Sequence, residues 1–414
     1  MFPMKKESDF MEKTASGNRI HIGIFGRTNA GKSSFVNALT GQSVSIVSDI
    51  AGTTTDVVKK AMEIHDLGPC ILMDTAGLDD ETALKKEREQ ATYEALQHCD
   101  VAFLFFFEKD ESVETAFLKK IKSRKIPVIG VVSHTDTMNS EEREERIAAV
   151  EKRLNIPVIG FSAITGAGIE ESKKILIHTL KENGKKRSLL DGMAKEGDTV
   201  ILVMPQDAEA PVGRLIQPQV MTIRDLLDRH CYVISVATEE FAGVLSRLKE
   251  NPDLVIVDSQ VFGRIAPLVP EGVKLTSFSI LMAALKGDIS YYAKSAAKID
   301  KLTEKSRVLI AECCTHAPVE EDIGRVKIPA MLRKKAGQGL QIDITAGTDF
   351  PLDVQNYDLV IQCGGCMFNR RYIMNRIDEA RKQGIPMTNY GIAIAKLKGI
   401  LDQVTIPEGE KENG

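Results

Sequence analysis

Short apolar runs alternate with charged segments along the N-terminal part of the chain. Each run is apolar at nearly every position, which is typical of a strand that is buried on both faces of a sheet. The charged segments between them carry apolar residues at helical spacing. Buried strands that alternate with helices predict a mostly parallel sheet with helices on both faces. The predicted strands are residues 20–25, 70–73, 101–107, 127–132 and 157–161, and the predicted helices are 81–97, 112–124 and 141–154.

Two further series of β-rich runs and helical patterns follow a polar, glycine-containing segment at 181–187, which indicates a linker. The pattern predicts an α/β fold with three α/β domains, of which the second and third are smaller open-sheet domains. Their expected bounds are residues 1–185, 190–277 and 278–408, with a frayed tail at 409–414. The predicted strands are 199–204, 232–237, 254–257, 274–278, 308–311, 341–344 and 359–361, and the helical patterns are 222–229, 239–249, 290–305, 318–335 and 369–383.

Composition narrows the class of protein. With 43% hydrophobic and 27% charged residues, the 414-residue chain is predicted to be globular rather than disordered. The formal net charge is only −4 and no basic, aromatic-interleaved stripe is present, so we expect no nucleic-acid partner. No signal sequence is visible, and no apolar run approaches the ~18 residues of a membrane span. Seven cysteines are too sparse, and odd in number, for a disulfide framework, so we expect a cytoplasmic protein without a membrane partner.

Residues 26–33, Gly-Arg-Thr-Asn-Ala-Gly-Lys-Ser, fit the phosphate-binding pattern G-x-x-x-x-G-K-[ST] between a predicted strand and a helical segment. Glycines permit the backbone to wrap its N–H groups around phosphate oxygens, and the N-terminus of the following helix favours the same anion. Lys32 is expected to reach the β- and γ-phosphates, and the Ser33 hydroxyl to bind Mg²⁺. The loop residues expected at the nucleotide are Gly26, Asn29, Ala30, Gly31, Lys32, Ser33 and Ser34.

Asp74-Thr-Ala-Gly77 follows a predicted strand and adds a second part of the same site. Asp74 is placed to act on Mg²⁺, and the Gly77 amide to sense the γ-phosphate. The polar segment 52–56 supplies Thr54, which is expected to close on the metal. Lys32, Ser33, Thr54, Asp74 and Gly77 are therefore the predicted catalytic residues.

Two further strand ends carry residues suited to reading a base. Ser133-His-Thr-Asp136 positions Asp136 to accept hydrogen bonds from guanine N1–H and its exocyclic amine. Ser162-Ala163 ends the last strand of the series, where a backbone amide can read guanine O6. Together with the phosphate loop, these motifs predict a GTPase that binds GTP and Mg²⁺.

On these motifs the N-terminal part resembles the translation-factor-related GTPases of the Era and TrmE type. The base-reading motif of that group is usually Asn-Lys-x-Asp, whereas this chain has Ser133 and His134, a difference that concerns nucleotide affinity more than guanine preference. Leu78 follows Gly77 and cannot orient an attacking water, so slow hydrolysis is expected. The resemblance implies that Asn29 helps to bind K⁺, which assists hydrolysis; the alternative is a turn residue that satisfies its own loop.

The late cysteines form a second constellation. Cys363-Gly-Gly-Cys366 and Cys314-Thr-His316 each follow a predicted strand, and the carboxyl ends of parallel strands lie at one edge of a sheet. Three thiolates and an imidazole suit Zn²⁺, and three thiolates also suit a [4Fe–4S] cluster, so the spacing leaves both open beside thiols that bind nothing. Strand alternation predicts that Cys313 faces the opposite side as a core thiol. Cys70, Cys99 and Cys231 are also expected in the core.

The cysteine constellation and the GTPase motifs together resemble the [FeFe]-hydrogenase maturation GTPase family, over nearly the whole chain. The resemblance implies a dimerisation domain, a cluster domain, and Cys314, Cys363, Cys366 and His316 as candidate metal ligands. Gln362 stands where the family often has histidine, which leaves the fourth position of the cluster to His316, a carboxylate, water or no protein group.

By the same resemblance the chain receives a transient diiron precursor, made with two radical-SAM maturases, and delivers it to apo-[FeFe]-hydrogenase. It is expected to act as a homodimer or tetramer, in which GTP hydrolysis switches partner association. Two alternatives remain at this stage. One is an Era-like RNA- or ribosome-associated GTPase, and the other is a regulatory GTPase with a structural zinc site.

Overall fold

The computed structural model describes residues 16–41, 57–79, 85–183, 187–206, 213–313, 322–351 and 353–408. The chain divides into two compact units, Met1–Lys186 and Arg187–Gly414. The division falls within the polar segment at 181–187.

The first unit contains one six-stranded sheet in the order β2-β3-β1-β4-β5-β6. All neighbouring strands are parallel except β2, which pairs antiparallel with β3 at the edge of the sheet. Helices on the sheet bury its apolar runs, as the alternating pattern predicts. The strands are β1 (Ile20–Phe25), β2 (Val58–Ile64), β3 (Gly68–Asp74), β4 (Val101–Phe106), β5 (Val128–Val132) and β6 (Val158–Gly160), and the helices are α1 (Lys32–Thr40), α2 (Lys85–His98), α3 (Ser112–Ser123), α4 (Ser140–Leu154) and α5 (Ile169–Asn183).

Strand β2 was not predicted, because one of its faces is exposed. Side chains of β2 alternate between exposed and half-buried positions up to the buried Ile64. An edge strand with one solvated face needs no continuous apolar run, so the pattern that revealed the central strands is absent from it.

The second unit contains two four-stranded, wholly parallel sheets, in the orders β10-β9-β7-β8 and β12-β11-β13-β14. The first sheet consists of β7 (Thr199–Val203), β8 (Tyr232–Val236), β9 (Leu254–Val257) and β10 (Lys274–Ser277), and the second of β11 (Arg307–Ala311), β12 (Gln341–Thr345), β13 (Leu359–Gln362) and β14 (Met387–Asn389). The helices are α6 (Gln217–Asp228), α7 (Phe241–Leu245), α8 (Phe262–Ile265), α9 (Phe278–Lys286), α10 (Ile289–Ser295), α11 (Ile328–Ala336), α12 (Arg370–Lys382) and α13 (Tyr390–Leu397).

One hydrophobic core extends through both sheets of the second unit. It includes Val203 of the first sheet and Val308 and Val360 of the second. Helices α9 and α13 are apolar on most of their faces and are buried accordingly. The two parallel sheets are thus packed as parts of one unit.

Two helical predictions in this unit need correction. The stretch 290–305 is the short helix α10 followed by a 3₁₀ segment, Ala296–Lys301. Within the predicted helix 318–335, the described part begins with a π-helical turn, Ile323–Lys327, and α11 starts only at Ile328, with Pro329 in its first turn. Proline is favoured there because the first helical N–H groups have no intrahelical partner.

The predicted fold class is confirmed: an N-terminal sheet with a phosphate-binding loop is followed by two smaller parallel α/β sheets. The division into three domains at residues 185 and 277 stays a prediction. No helix in the described part of the chain combines the length and apolar character that a membrane span requires.

Candidate functional site

The phosphate-binding loop connects β1 to α1, as predicted. Gly26 has a φ of +153°, and a Cβ on it would lie 2.7 Å from the Phe105 Cβ, so only glycine fits there. Gly31 caps α1 with a φ of +87°, and Asn29 has a φ of +59°. Two of the three positive φ angles fall on glycine and the third on asparagine, the side chain that tolerates this conformation best.

Lys32 is buried and lies across its own loop. Its Nζ donates hydrogen bonds to the carbonyl oxygens of Arg27 at 2.7 Å and Gly26 at 3.1 Å. Burial lowers the pKa of Lys32, although the carboxylates of Asp74 and Asp79 oppose that shift. The ammonium group is therefore held within the loop whose backbone N–H groups are predicted to bind phosphate.

Asp74 ends β3 opposite Ile24 of β1, which brings it to the start of α1. Burial raises the pKa of Asp74, while a hydrogen bond with Ser33 and the charge of Lys32 lower it. Its Oδ1 has no hydrogen-bond partner among the described residues. A buried carboxylate oxygen with spare acceptor capacity beside a serine hydroxyl is a donor set that suits Mg²⁺.

The segment after Asp74 contacts the phosphate loop directly. The Asp79 Oδ1 accepts hydrogen bonds from the Thr28 amide at 2.7 Å and the Thr28 hydroxyl at 2.9 Å. A Cβ on Gly77 would collide with the Thr28 hydroxyl, so glycine is required for this approach. The Leu78 amide donates to the Gly26 carbonyl at 3.1 Å. Asp79 was not predicted; its position two residues after the Asp74–Gly77 motif was the available signal.

The residues predicted to read the base come together at the ends of β5 and β6. A hydrogen bond with Ser162 lowers the pKa of Asp136, and the Thr135 amide donates to the Phe161 carbonyl at 3.2 Å. Ser133 and Ser162 are both buried, and Ala163 is exposed beside them. Asp136 is thus held as a carboxylate acceptor next to the loop that carries Ala163.

His134 takes the place of the lysine of the usual motif. It has a φ of +56°, and its Nδ1 lies 3.2 Å from the Ser133 hydroxyl oxygen. The His134 ring is 4.4 Å from the ring of the partly exposed Phe107, centroid to centroid. This ring pair was not predicted. Thr54, which was predicted to close on the metal, lies outside the described residues.

The strand ends that carry the cysteines are neighbours, as expected. Strands β11 and β13 pair in parallel with Ala311 opposite Gln362, and the Cys363 amide donates to the Ala311 carbonyl at 3.0 Å. Cys363 and Cys366 therefore follow β13 next to the end of β11. Cys314 and His316 lie outside the described residues.

The orientation of Cys313 relative to Cys314 lies outside the described residues, but Cys313 contacts Cys363. Its amide donates to the Cys363 Sγ at 3.1 Å, and the two thiols are hydrogen-bonded. Cys313 lies two residues beyond Ala311, the last residue of β11, so the strict alternation of a strand no longer governs its side chain. It is a buried thiol, as expected, but it faces the cysteine loop.

The surroundings of the cysteine loop favour the thiolate form of Cys363. The hydrogen bond from Cys313 holds the pKa of the Cys363 thiol below its usual value, against the effect of burial. The ammonium group of the buried Lys286 donates to the carbonyl oxygens of Phe368 at 2.7 Å, Gly365 at 3.1 Å and Cys366 at 3.2 Å. Burial lowers the pKa of Lys286 to about 8, partly offset by the nearby cysteines.

Cys363 and its surroundings have the features of a thiolate that can bind a metal. Nucleophilic and metal-binding cysteines are those whose thiolates are stabilised by cations and hydrogen bonds. Among the residues that the structure describes, no group of three or more His, Cys, Asp or Glu side chains is placed to hold a metal ion. The described residues supply two of the four predicted ligands, Cys363 and Cys366.

Lys286 and Arg376, both beside the cysteines, were not predicted. Lys286 is the only charged residue of the apolar helix α9. Arg376 occupies the buried face of α12 with Ile373 and Ile377. Each is a charged residue at a position where the helical pattern predicts an apolar one. That exception in the sequence was the available sign of a buried functional side chain.

Comparison with known proteins identifies relatives of the first unit. The tRNA modification GTPase MnmE of Coxiella burnetii (strain Dugway 5J108-111) is 35% identical over 182 residues, which are 41% of this chain and 38% of that protein. The chain thus matches well under half the length of this relative.

Solved structures also resemble part of the chain. The G domain of the T. maritima FeoB iron transporter has a TM-score of 0.32 and 23% identity, over 39% of this chain and 98% of that one. Aquifex aeolicus Era bound to GDP·AlF₄⁻ has a TM-score of 0.35 and 20% identity, over 52% of this chain and 92% of that one.

Three family models match successive parts of the chain. The model described as 50S ribosome-binding GTPase matches residues 21–134, which contain the phosphate loop. The hydrogen maturase F dimerization domain matches residues 189–287, and the hydrogen maturase F tetramerization domain matches residues 290–407. The last two together cover more than half of the chain. With its N-terminal GTPase domain followed by both of these domains, the chain belongs to the hydrogen maturase F (HydF) family.

Proposed function

We propose that this chain is a GTPase and iron–sulfur carrier that receives a diiron precursor and delivers it to apo-[FeFe]-hydrogenase. The observation that supports this most is the loop Cys363–Cys366 beside the end of β11, in a chain whose other unit carries a phosphate-binding loop. Thiols at one sheet edge suit a soft metal centre, and the P-loop suits GTP.

In the first unit, GTP binds with its phosphates on residues 26–34. Lys32 releases the carbonyl oxygens of Gly26 and Arg27 and donates to the phosphates. Ser33 and Asp74 hold Mg²⁺, with Thr54 closing on it, and the Gly77 amide contacts the γ-phosphate. Asp136 and the loop of Ser162 and Ala163 hold guanine. The buried Ser133 contacts the His134 ring next to this site.

In the second unit, Cys314, Cys363 and Cys366 hold a [4Fe–4S] cluster, with His316 available at the fourth position. When bound, the cluster supplies an iron that takes an exchangeable ligand, which suits a carrier. The chain's own part is to favour the thiolate of Cys363, to which Cys313 donates a hydrogen bond, while Lys286 stabilises the loop.

The partners follow from the family. The dimerization and tetramerization domains support a homodimer or tetramer. We place it in the cytoplasm, where the cargo arises with two radical-SAM maturases. The GTP site and the cysteine loop belong to different units. GTP hydrolysis therefore switches the association of partners rather than driving bond formation at the cluster.

We expect slow hydrolysis of GTP, with a higher rate in K⁺ than in Na⁺. Leu78 has no group that orients water, and the Asn29 side-chain oxygen is the proposed K⁺ ligand. The variant Asn29→Gly keeps the positive φ and removes that oxygen, so its turnover should be equal in the two salts. Leu78→Ala is the control and should keep the K⁺ preference. Equal turnover of the wild-type protein in K⁺ and Na⁺ would contradict the K⁺ site.

The metal is tested by anaerobic reconstitution with iron and sulfide. The wild-type protein should become brown and contain iron and acid-labile sulfide, whereas Cys363→Ser and Cys366→Ser should remain largely colourless. Zinc analysis of the same samples distinguishes the structural-zinc alternative. A colourless wild-type protein with stoichiometric zinc after reconstitution would exclude the iron–sulfur carrier.

A further inference from the structure

Gln362, the last residue of β13, is fully buried and has its side-chain amide hydrogen-bonded at both ends. Its Oε1 accepts a hydrogen bond from the Arg376 Nη1 at 3.0 Å. Its Nε2 lies 3.0 Å from the Cys313 Sγ and 3.6 Å from the Cys363 Sγ. The amide therefore bridges a guanidinium group and two sulfur atoms.

Arginine determines which way this amide faces. The oxygen and nitrogen of a glutamine amide are assigned from their hydrogen-bond partners. A guanidinium group only donates hydrogen bonds, so the Gln362 oxygen must face Arg376 and its NH₂ group must face the sulfurs. The one atom of Gln362 that has metal-binding capacity is thus already occupied.

Arg376 is itself fixed in place. Its guanidinium carbon lies 4.9 Å from the ring centroids of both Phe350 and Tyr372 and 5.5 Å from that of Phe368. Its Nη2 donates to the Gly347 carbonyl at 2.5 Å. Aromatic faces and a carbonyl oxygen attract a cation without neutralising it. The orientation of Gln362 is therefore imposed by a rigid neighbour.

The charge of Arg376 points to an anion at the sulfurs. Arg376 is only 4% exposed, and its partners within the described residues are the Gln362 oxygen, the Gly347 carbonyl, the Cys313 sulfur and three aromatic rings. Buried charges are normally compensated by a nearby opposite charge. The Cys313 Sγ is 3.7 Å from the Arg376 Nη1, and the Cys363 Sγ is the next sulfur along the Gln362 amide. A thiolate at one of these sulfurs would supply the compensating charge.

We propose that Gln362, oriented by Arg376, is an N–H···S donor to the sulfur of Cys363 and raises the reduction potential of the cluster held there, without binding iron itself. Hydrogen bonds to ligating sulfurs and nearby positive charge favour the reduced, more negative form of an iron–sulfur centre. This inference rests on the proposed function, since it requires a cluster at Cys363. It assigns Gln362 and Arg376 as positioning residues.

The test is an EPR-monitored redox titration of the anaerobically reconstituted full-length protein. Gln362→Met removes the donor without adding charge, and Gln362→Glu replaces the NH₂ group with a carboxylate oxygen. Gln341→Glu is the matched control, because it adds the same charge at an exposed position at the start of β12. Iron content, circular dichroism and GTP turnover are measured on every sample.

We expect Gln362→Met to bind as much iron as the wild-type protein and to have a more negative midpoint potential. The shift should be larger for Gln362→Glu and absent for Gln341→Glu. Unchanged potentials in both Gln362 variants, with the cluster present, would overturn this inference and leave the proposed function standing. Loss of iron from a folded Gln362→Met would also overturn it, because Gln362 would then be needed for binding. A wild-type protein that takes up no cluster would overturn both.

Discussion

At the scale of single residues, function is visible where a buried polar group lacks a full set of partners. The Asp74 Oδ1 has no hydrogen-bond partner in the described part of the chain, and burial raises the pKa of this carboxyl group. Folding stability does not explain this position of Asp74, because an unsatisfied buried carboxylate is costly. A divalent cation beside Ser33 would satisfy it.

Mg²⁺-dependent GTP binding should weaken as the pH falls. Because the pKa of Asp74 is raised, this should begin at a higher pH than for an aspartate with the ordinary pKa of 3.8. Mg²⁺ binds the ionised carboxylate, and protonation of Asp74 competes with it once the pH approaches its raised pKa. The measurement is the affinity for a fluorescent GTP analogue in Mg²⁺ and in EDTA. It is made from about pH 5 to 8, the range in which proteins are usually most stable.

Asp74→Asn should bind the analogue equally with Mg²⁺ and EDTA at every pH, and its GTP turnover should fall roughly 10²–10³-fold, as for loss of one transition-state-stabilising group. Asp136→Asn removes the same charge on the base side and is the control. It should weaken binding in Mg²⁺ and EDTA alike. A Mg²⁺ dependence that survives Asp74→Asn would contradict the assignment.

At the scale of elements, the cysteine loop is held by a helix that belongs to the other sheet of its unit. Helix α9 follows β10 of the first sheet, and Lys286 at its last position donates to three carbonyl oxygens of the segment after β13 in the second sheet. Three converging carbonyls around one buried ammonium fix the loop conformation that Cys363 and Cys366 need. The helix thus acts as a support for the site.

Lys286→Met should loosen this loop. The three carbonyl oxygens lose their donor, at a cost of about 1–3 kcal/mol for each acceptor left unsatisfied. We expect a lower melting temperature for the second unit and faster alkylation of Cys366 in the metal-free protein, read by mass spectrometry. Lys294→Met, at an exposed position of α10, is the control and should change neither. Unaltered alkylation of Cys366 in Lys286→Met would show that Lys286 does not hold the loop.

The central parallel strands were predictable because burial on both faces leaves continuous apolar runs, as in β4 and β5. The edge strand β2 was not, since one of its faces is solvated. The meeting of Cys363 with the end of β11 followed from parallel topology. The contact between Cys313 and Cys363 did not, because Cys313 lies past the end of its strand. The orientation of the Gln362 amide was not predictable either, because it depends on Arg376, a residue of α12 that reaches it only through tertiary packing.

At the scale of the whole molecule, the GTPase motifs and the cysteine loop lie in different units. The GTP motifs lie in the unit Met1–Lys186, and the cysteine loop lies in the unit Arg187–Gly414, whose two sheets share one hydrophobic core. The dimerization and tetramerization family models cover both sheets of the second unit. This arrangement predicts that each ligand stabilises its own unit.

Thermal unfolding should show two transitions. A GTP analogue with Mg²⁺ at a hundred times its dissociation constant should stabilise one transition by ~2.7 kcal/mol and leave the other unchanged. Removal of iron should lower the melting temperature of the second unit only. Calorimetry of the full-length protein, with and without each ligand, measures both. One transition that moves with either ligand would contradict the assignment of separate sites to the two units.

The most direct test of the carrier role is activation of apo-[FeFe]-hydrogenase by wild-type, Cys363→Ser and Cys366→Ser proteins, each loaded in the presence of the two maturases, with GTP turnover measured on the same samples. Because the cysteine loop and the P-loop belong to different units, we expect both variants to lose activation while their GTP turnover stays at the wild-type rate. Activation of the hydrogenase by both variants at the wild-type level would contradict the account.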